Sequence, residues 1–137
     1  WPKVIQLAAC GEFFPELINE EGQNLAVTTA YGSSVLHFSI LGGNISTIMF
    51  LLAKQLDTNV QNIFGQAALH WASKTGNSKI VKILLKAGAK VDILDNEGNT
   101  PLHWAVEDDH HFVVCALLEH GADSEIKNEF GKTAFKE

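Results

Sequence analysis

The sequence contains no arginine, and this absence limits the partners that the protein is suited to recognise. Its ten basic residues are all lysine, and sixteen acidic residues bring the formal net charge to −6. Arginine normally supplies much of the affinity and base readout in nucleic-acid complexes, because its guanidinium group pairs with phosphate and guanine. The composition therefore argues against nucleic acid as a partner, and it leaves aromatic or aliphatic side chains as the hot spots of any binding surface.

Cysteines and long apolar segments are also scarce. The two cysteines, Cys10 and Cys115, are far apart in the sequence, which favours a reducing environment over a disulfide. No apolar run approaches the roughly 18 residues that span a bilayer, and the chain does not begin with a secretory signal pattern. We therefore expect no direct membrane insertion. The expected location is the cytoplasm or nucleus, or the cytosolic face of a membrane if a parent protein is anchored there.

Three segments recur at a fixed spacing of 33 residues. They begin at Gly32, Gly65 and Gly98, each has the pattern Gly-x-x-x-Leu-His, and Gly131 follows one period later. A fixed period in this range is typical of stacked supersecondary units. Such stacks present extended surfaces rather than closed pockets, so the period favours recognition over catalysis.

The segment from 95 to 127 shows the local chemistry of one unit most clearly. Gly98 lies in a turn-forming stretch and is free to adopt positive φ. Thr100 suits the N-cap and Pro101 the first position of a helix, which predicts a short helix that runs to about residue 108. Apolar residues at helical spacing predict a second helix over residues 111–119.

Residues 98–105, Gly-Asn-Thr-Pro-Leu-His-Trp-Ala, together with the apolar pairs and the Gly-Ala-Asp that follow, resemble an ankyrin repeat. The resemblance implies an all-α solenoid of stacked antiparallel helix pairs joined by β-turn or hairpin loops. It divides the chain into a degenerate N-terminal capping helix pair (1–28), three repeats (29–61, 62–94 and 95–127) and the start of a further, truncated repeat (128–137).

Several positions depart from the family pattern. Ser34-Val35 and Ala67-Ala68 replace Thr-Pro, which predicts weaker helix caps in those two units. Asp109 replaces the glycine between the two helices of its unit. Gln55 replaces a glycine that ends a helix, so we expect a distorted or less stable connection there.

Histidine and cysteine are the residues that suggest a metal site or a base. His37, His70 and His103 recur with the repeat period, and the resemblance implies that they bond the turn backbone and lock neighbouring loops. His111 and Cys115 lie one helical turn apart, but a closed zinc site needs four ligands and the spacing supplies two. We therefore predict no metal and no cofactor.

Aromatic residues occupy two repeat positions. Phe38, Trp71 and Trp104 share the position after the histidine, where packing in the core is the favoured interpretation. The turn-tip position carries Tyr31, Phe64 and Phe130. Aromatic tips either form an interface or fold back to staple neighbouring turns, and the sequence leaves both possibilities open.

The resemblance implies that turn tips and inner helices line one concave face, which is apolar towards the N-terminus and acidic towards the C-terminus. This pattern predicts a partner protein segment with an apolar anchor and a basic flank. The expected partner-binding residues are Tyr31, Ser33, Leu41, Ile63, Phe64, Gln66, Lys74, Thr75, Glu97, Asn99, Glu107, Asp108 and Phe130.

These observations predict a non-enzymatic protein–protein interaction module that is monomeric as a domain. Because the chain begins with tryptophan and stops just after a repeat has started, we expect it to be the recognition part of a larger protein. One alternative is a targeting or substrate-recruitment domain of a larger enzyme, such as a palmitoyltransferase, kinase or ubiquitin ligase. Another is a small inhibitor of a transcription factor, similar to the inhibitor of NF-κB. The fold alone does not distinguish these functions.

Overall fold

The fold was taken from a computed structural model of the chain, which describes residues 32–54 and 57–135. Within these ranges the chain forms six α-helices and no strand, which confirms the predicted all-α solenoid. The capping pair expected in residues 1–28 and the connection expected at Gln55 lie outside the described residues. The helices are α1 (Val35–Gly42), α2 (Ile45–Ala53), α3 (Ala68–Thr75), α4 (Ser78–Lys86), α5 (Pro101–Glu107) and α6 (His111–Glu119).

The inner helices α1, α3 and α5 begin as their sequences predict. At α5 the Thr100 hydroxyl accepts a hydrogen bond from the His103 backbone N–H at 3.3 Å, and Pro101 takes the first helical position. Ala67 offers no acceptor, so the weakened cap predicted for α3 is confirmed. Ser34 keeps the cap of α1 through a longer bond of 3.5 Å from the His37 N–H. Of the two helix caps that were predicted to be weak, the cap of α3 lacks its side-chain hydrogen bond and the cap of α1 retains it.

The two helices of each unit are joined by a tight turn in the left-handed backbone region. Gly43 and Gly76 adopt φ of +71° and +78° there, and Asp109 adopts +56° at the equivalent position. Aspartate tolerates this conformation better than most side chains, because its short polar group bonds locally. The replacement of glycine by Asp109 therefore leaves the geometry of this turn in place.

The core lies between neighbouring units. Helix α3 packs against both α1 and α5, the outer helices α4 and α6 pack against each other, and each inner helix packs against the outer helix of its own unit. Leucine and isoleucine side chains at the helix contacts are fully buried, among them Ile48, Leu69, Leu84, Leu102 and Leu117. Because helices of seven to nine residues are too short to persist alone, contacts between units stabilise each of them.

A repeated histidine connects each unit to the next. In His37, His70 and His103 the Nδ1 atom accepts from the backbone N–H three residues earlier, at 3.0–3.2 Å. Nε2 therefore carries the proton and donates to a carbonyl oxygen 29 residues later, at 2.8–3.0 Å. Burial lowers the pKa of His37 and of His70 below the ordinary value of 6.5, which suits this neutral form. The predicted structural role of the three histidines is confirmed.

Successive turns also bond directly to one another. The backbone N–H of Asn96 donates to the Phe64 carbonyl at 3.0 Å, and that of Glu129 donates to the Glu97 carbonyl at 2.9 Å. The Asn96 amide adds a bond to the Ile63 carbonyl at 2.7 Å. The turn tips therefore form one continuous edge of the stack, which places side chains of different units beside each other.

Candidate functional site

The exposed faces of the inner helices form a shallow apolar groove, which we call the inner groove. Trp71 stands three and four residues before Lys74 and Thr75, so helical spacing puts all three side chains on one face of α3. The groove has a volume of about 440 Å³ and is lined by Leu41, Gln66, Trp71, Lys74, Thr75 and Trp104.

Both groove tryptophans are held in place by polar side chains of the preceding turn. The indole N–H of Trp71 donates to the side-chain oxygen of Gln66 at 3.1 Å, and that of Trp104 donates to the Asp95 carboxylate at 3.0 Å. Both rings are half-buried. The ring orientations are therefore fixed before any ligand arrives, while part of each ring remains accessible.

The three aromatic residues that follow the repeated histidines do not share one environment. Phe38 is buried as predicted and meets Trp71 edge-on, with ring centroids 5.4 Å apart. Trp71 and Trp104 do pack against the preceding inner helix as predicted, with ring centroids 4.9 Å from His37 and 5.5 Å from His70. The prediction of core packing did not foresee that part of each ring also forms a wall of the groove. Their helical spacing to Lys74 and to Glu107, which were assigned to the binding face, was the signal that could have placed them there.

A second recess, which we call the acidic pocket, lies between the turn tips and α5. Its volume is about 280 Å³, and its lining includes Phe64, Gln66, Lys74, Asp95, Asn96, Glu97, Asn99, Trp104 and Glu107. The ammonium of Lys74 lies 3.3 Å from the carboxylate of Asp108 and 5.8 Å from the centre of the Trp104 ring. Lysine, tryptophan and several carboxylates from two units are thus brought together.

The aromatic turn tips project from the stack. Phe64 is 51% exposed and Phe130 is 65% exposed, and the neighbouring Ile63 is 58% exposed. Tyr31 lies outside the described residues. The exposure of Phe64 and Phe130 argues against complete folding back onto neighbouring turns, and Phe64 also forms one wall of the acidic pocket.

The other expected binding residues differ in how accessible they are. Leu41, Lys74, Thr75, Glu97, Glu107 and Asp108 are exposed. Gln66 and Asn99 are half-buried, and their side chains already bond within the protein, to Trp71 and to Asn128. Ser33 was expected on this face, but it is only 4% exposed, and its hydroxyl accepts a hydrogen bond from the Asn62 amide. A partner would therefore not reach Ser33.

Sequence reasoning missed the residues that organise the turns. The side-chain oxygens of Asn62, Asp95 and Asn128 each accept hydrogen bonds from the backbone N–H groups two and four residues later, at 2.9–3.0 Å. Asparagine and aspartate favour this local bonding. Their spacing of 33 residues was the available signal.

His110 is a further contact that sequence reasoning missed. It occupies the N-cap position of α6 without capping it, and its Nε2 donates instead to the Lys74 carbonyl at 2.8 Å. A β-carbon at Gly76 would lie only 2.6 Å from the His110 ring. The ring therefore packs closely over Gly76 and ties the third unit to the end of α3.

The described part of the chain contains neither a cluster of metal ligands nor a helix suited to cross a membrane. Across residues 32–54 and 57–135, no three or more histidine, cysteine, aspartate or glutamate side chains come close enough together to hold a metal ion. His111 and Cys115 both lie on the exposed surface of α6. None of the six helices in these ranges has the length and apolar content that crossing a bilayer requires.

Comparison with known proteins agrees with the geometry. The family model for ankyrin repeats, which describes three copies, matches residues 4–95 and also residues 36–128. A search of curated proteins found no match to the chain. Ankyrin repeats generally mediate protein–protein interaction, and domains built from them are typically non-catalytic. Since the matched segments cover most of the sequence, the chain belongs to the ankyrin-repeat family.

Proposed function

We propose that this domain binds a segment of a partner protein through the inner groove and the adjacent turn tips. The observation that carries the proposal is the pair of half-buried tryptophans, Trp71 and Trp104, each fixed by a hydrogen bond from its indole N–H. A rigid aromatic wall loses little conformational entropy when a ligand binds. Leu41 extends this wall with an apolar side chain that is 52% exposed.

The charges beside the groove define the chemistry of the partner. Glu97, Glu107 and Asp108 are exposed near its C-terminal end, and Lys74 is the only cationic residue among the described residues that line the groove. A partner segment with an apolar anchor and a flanking lysine or arginine is complementary to this arrangement. The apolar contacts would supply most of the affinity, and the carboxylates would mainly increase the association rate and fix the orientation.

Recruitment of a substrate to a larger enzyme and inhibition of a transcription factor are both special uses of the same binding activity. Each requires a partner segment on the same face, so the binding experiment below bears on all of these functions. The full open reading frame then distinguishes them, because a catalytic motif or membrane span would favour the recruitment role.

The experiment is a selection from a displayed library of natural protein segments, with the domain as bait. The test variant is Leu41→Ala combined with Phe64→Ala, since both side chains are half-exposed and their truncation should leave the fold intact. The matched control is Phe112→Ala, which removes an aromatic side chain that is 81% exposed on the outer helix α6. Thermal unfolding of each variant separates loss of binding from loss of stability.

We expect the selected segments to bind the control as tightly as the original domain. The double variant should bind them at least about tenfold more weakly, because each lost anchor is a hot-spot contact. Enriched segments should share an apolar residue close to a basic one. Equal binding by the double variant and the original domain, or loss of binding in the Phe112 control alone, would contradict the proposal.

A further inference from the structure

The acidic pocket already holds a positive charge that belongs to the chain itself. The Lys74 ammonium lies over the Trp104 ring, 5.8 Å from its centre, and is paired at 3.3 Å with Asp108. A cation over an indole face is attracted by the negative potential of the ring. The contact shows that this face of the Trp104 ring accommodates a cationic group.

The Trp104 ring is fixed in the orientation that presents this face. Asp95 accepts the indole N–H through one carboxylate oxygen at 3.0 Å, and its other oxygen accepts the backbone N–H groups of Glu97 and Asn99, each at 2.9 Å. One carboxylate therefore anchors both the ring and the turn that carries Glu97. The wall of the pocket is preorganised, so a ligand does not have to order it.

The pocket has room and charge for more than the lysine that borders it. About 280 Å³ is open, the lining includes the aromatic residues Phe64 and Trp104, and Glu97 and Glu107 are exposed residues of the same lining. Among the described residues that line the pocket, Lys74 is the only cationic one, and it is paired with Asp108, which is not part of that lining. The pocket therefore combines two aromatic walls with unneutralised negative charge.

We propose that this pocket receives the guanidinium group of an arginine in the partner segment. The inference rests on the proposed function and adds to it the residue that determines specificity. A guanidinium is planar, so it stacks on an indole face, and its N–H fork pairs with a carboxylate such as Glu97 or Glu107. Lys74 competes for the same ring face and repels the incoming charge, so it reduces the affinity of the site.

The test uses a small probe, N-acetyl-arginine N-methylamide, titrated into the ¹⁵N-labelled domain. The neutral isostere N-acetyl-citrulline N-methylamide is the matched control, because it keeps the shape and removes the charge. The signal to follow is the indole N–H of Trp104, assigned with the Trp104→Phe variant. We expect this signal to shift saturably with the arginine compound and to remain unchanged with the citrulline compound.

Two variants of the pocket test whether Lys74 weakens the binding of the arginine compound and whether Glu97 and Glu107 strengthen it. Lys74→Met removes the competing charge at similar length, and removing a surface ion pair and a cation–π contact should tighten arginine binding about fivefold. Glu97→Gln combined with Glu107→Gln should weaken it about fivefold, because the fork then meets neutral amides. Phe112→Ala, on the outer helix, should leave it unchanged.

Equal shifts with arginine and citrulline, no shift with either compound, or unchanged affinity in Lys74→Met would each overturn the arginine pocket. None of these results would overturn the proposed function, since segments selected by the domain could still depend on Leu41 and Phe64. Conversely, selected segments that are insensitive to Leu41 and Phe64 would refute the proposed binding face without changing the probe titration. The two failures are therefore distinguishable.

Discussion

Replacing the turn glycines with alanine, one at a time, measures how closely successive units approach each other. Gly65, Gly98 and Gly131 occupy the same turn position with φ of +76°, +77° and +76°. A β-carbon at residue 65 would lie 2.6 Å from the backbone nitrogen of Asn96, and one at residue 98 would lie 3.1 Å from that of Glu129. At residue 131 it would meet no described atom within 4 Å. The three substitutions thus share a backbone conformation and differ in their neighbours.

The expected destabilisation follows from these distances. The left-handed conformation costs an alanine about 1 kcal/mol at all three positions. At residue 65 the added carbon also pushes Asn96 away and weakens its two bonds, to the carbonyls of Phe64 and Ile63 at 3.0 and 2.7 Å. At residue 98 the added carbon weakens one bond, from the Glu129 N–H to the Glu97 carbonyl, and at residue 131 it weakens none among the described residues. Since a lost hydrogen bond costs about 1 kcal/mol, the free energy of unfolding should fall by about 3 kcal/mol for Gly65→Ala, about 2 kcal/mol for Gly98→Ala and about 1 kcal/mol for Gly131→Ala.

The assay is urea unfolding at 25 °C, followed by tryptophan fluorescence and by far-ultraviolet circular dichroism. The free energy of unfolding is obtained by linear extrapolation, and similar slopes among the variants would show that the same surface unfolds. A graded loss in the order Gly65, Gly98, Gly131 supports a direct stacking of turn on turn. Equal losses at the three positions would refute the close approach of neighbouring turns and the continuous edge that depends on it.

Three further predictions concern other parts of the stack. Because burial lowers the pKa values of His37 and His70, the unfolded chain binds more protons below pH 6.5 than the folded chain does. The free energy of unfolding should therefore fall as the pH drops from about 6.5 to 5, by at most about 1.4 kcal/mol per pH unit for each histidine. Urea unfolding at several pH values checks this dependence. Ala67→Ser should restore the missing hydroxyl cap of α3 and stabilise the fold by about 1 kcal/mol, and a lower midpoint in urea would contradict it. Asp109→Gly should relieve the left-handed backbone at φ of +56° and raise the unfolding free energy by about 0.5 kcal/mol, whereas destabilisation would mean that the aspartate side chain supports the turn.

The features that were predictable from the sequence are those that local chemistry determines. Thr100 and Pro101 define the start of α5, because a capping hydroxyl and a fixed φ act within a few residues. The predicted second helix of that unit, His111–Glu119, was also confirmed, because its apolar residues recur at helical spacing within a short segment. The structural role of His37, His70 and His103 was also predictable, since a residue repeated with the period of the fold has the same neighbours in every unit.

The burial of the residues in and beside the groove was not predictable, because it depends on contacts between neighbouring units. Phe38 is buried because the ring of Trp71 covers it from the next unit, whereas Trp71 and Trp104 are half-buried and line the groove. Ser33 is buried, and its hydroxyl accepts a hydrogen bond from the Asn62 amide of the next unit. Residues at the same repeat position therefore differ in exposure from one unit to the next. The sequence alone did not reveal which of them a neighbouring unit covers.

The position of charge in the groove was partly predictable. The acidic residues Glu97, Glu107 and Asp108 were assigned to the binding face from the repeat pattern, and all three are exposed. The contact of Lys74 with Asp108 joins residues 34 positions apart, one repeat and one residue. To predict such a contact, one must know how far neighbouring helices are offset along the stack. The repeat period gives this offset only to within one residue.

The most direct test of the central proposal is a nuclear magnetic resonance footprint of a selected partner segment on the ¹⁵N-labelled domain. We predict that binding shifts the indole N–H signals of Trp71 and Trp104 and the backbone signals of the turn tips at Phe64 and Glu97. The backbone signals of the outer helices α4 and α6 should stay in place. A footprint centred on α4 and α6, with both indole signals unchanged, would contradict the proposal that the inner groove is the binding surface.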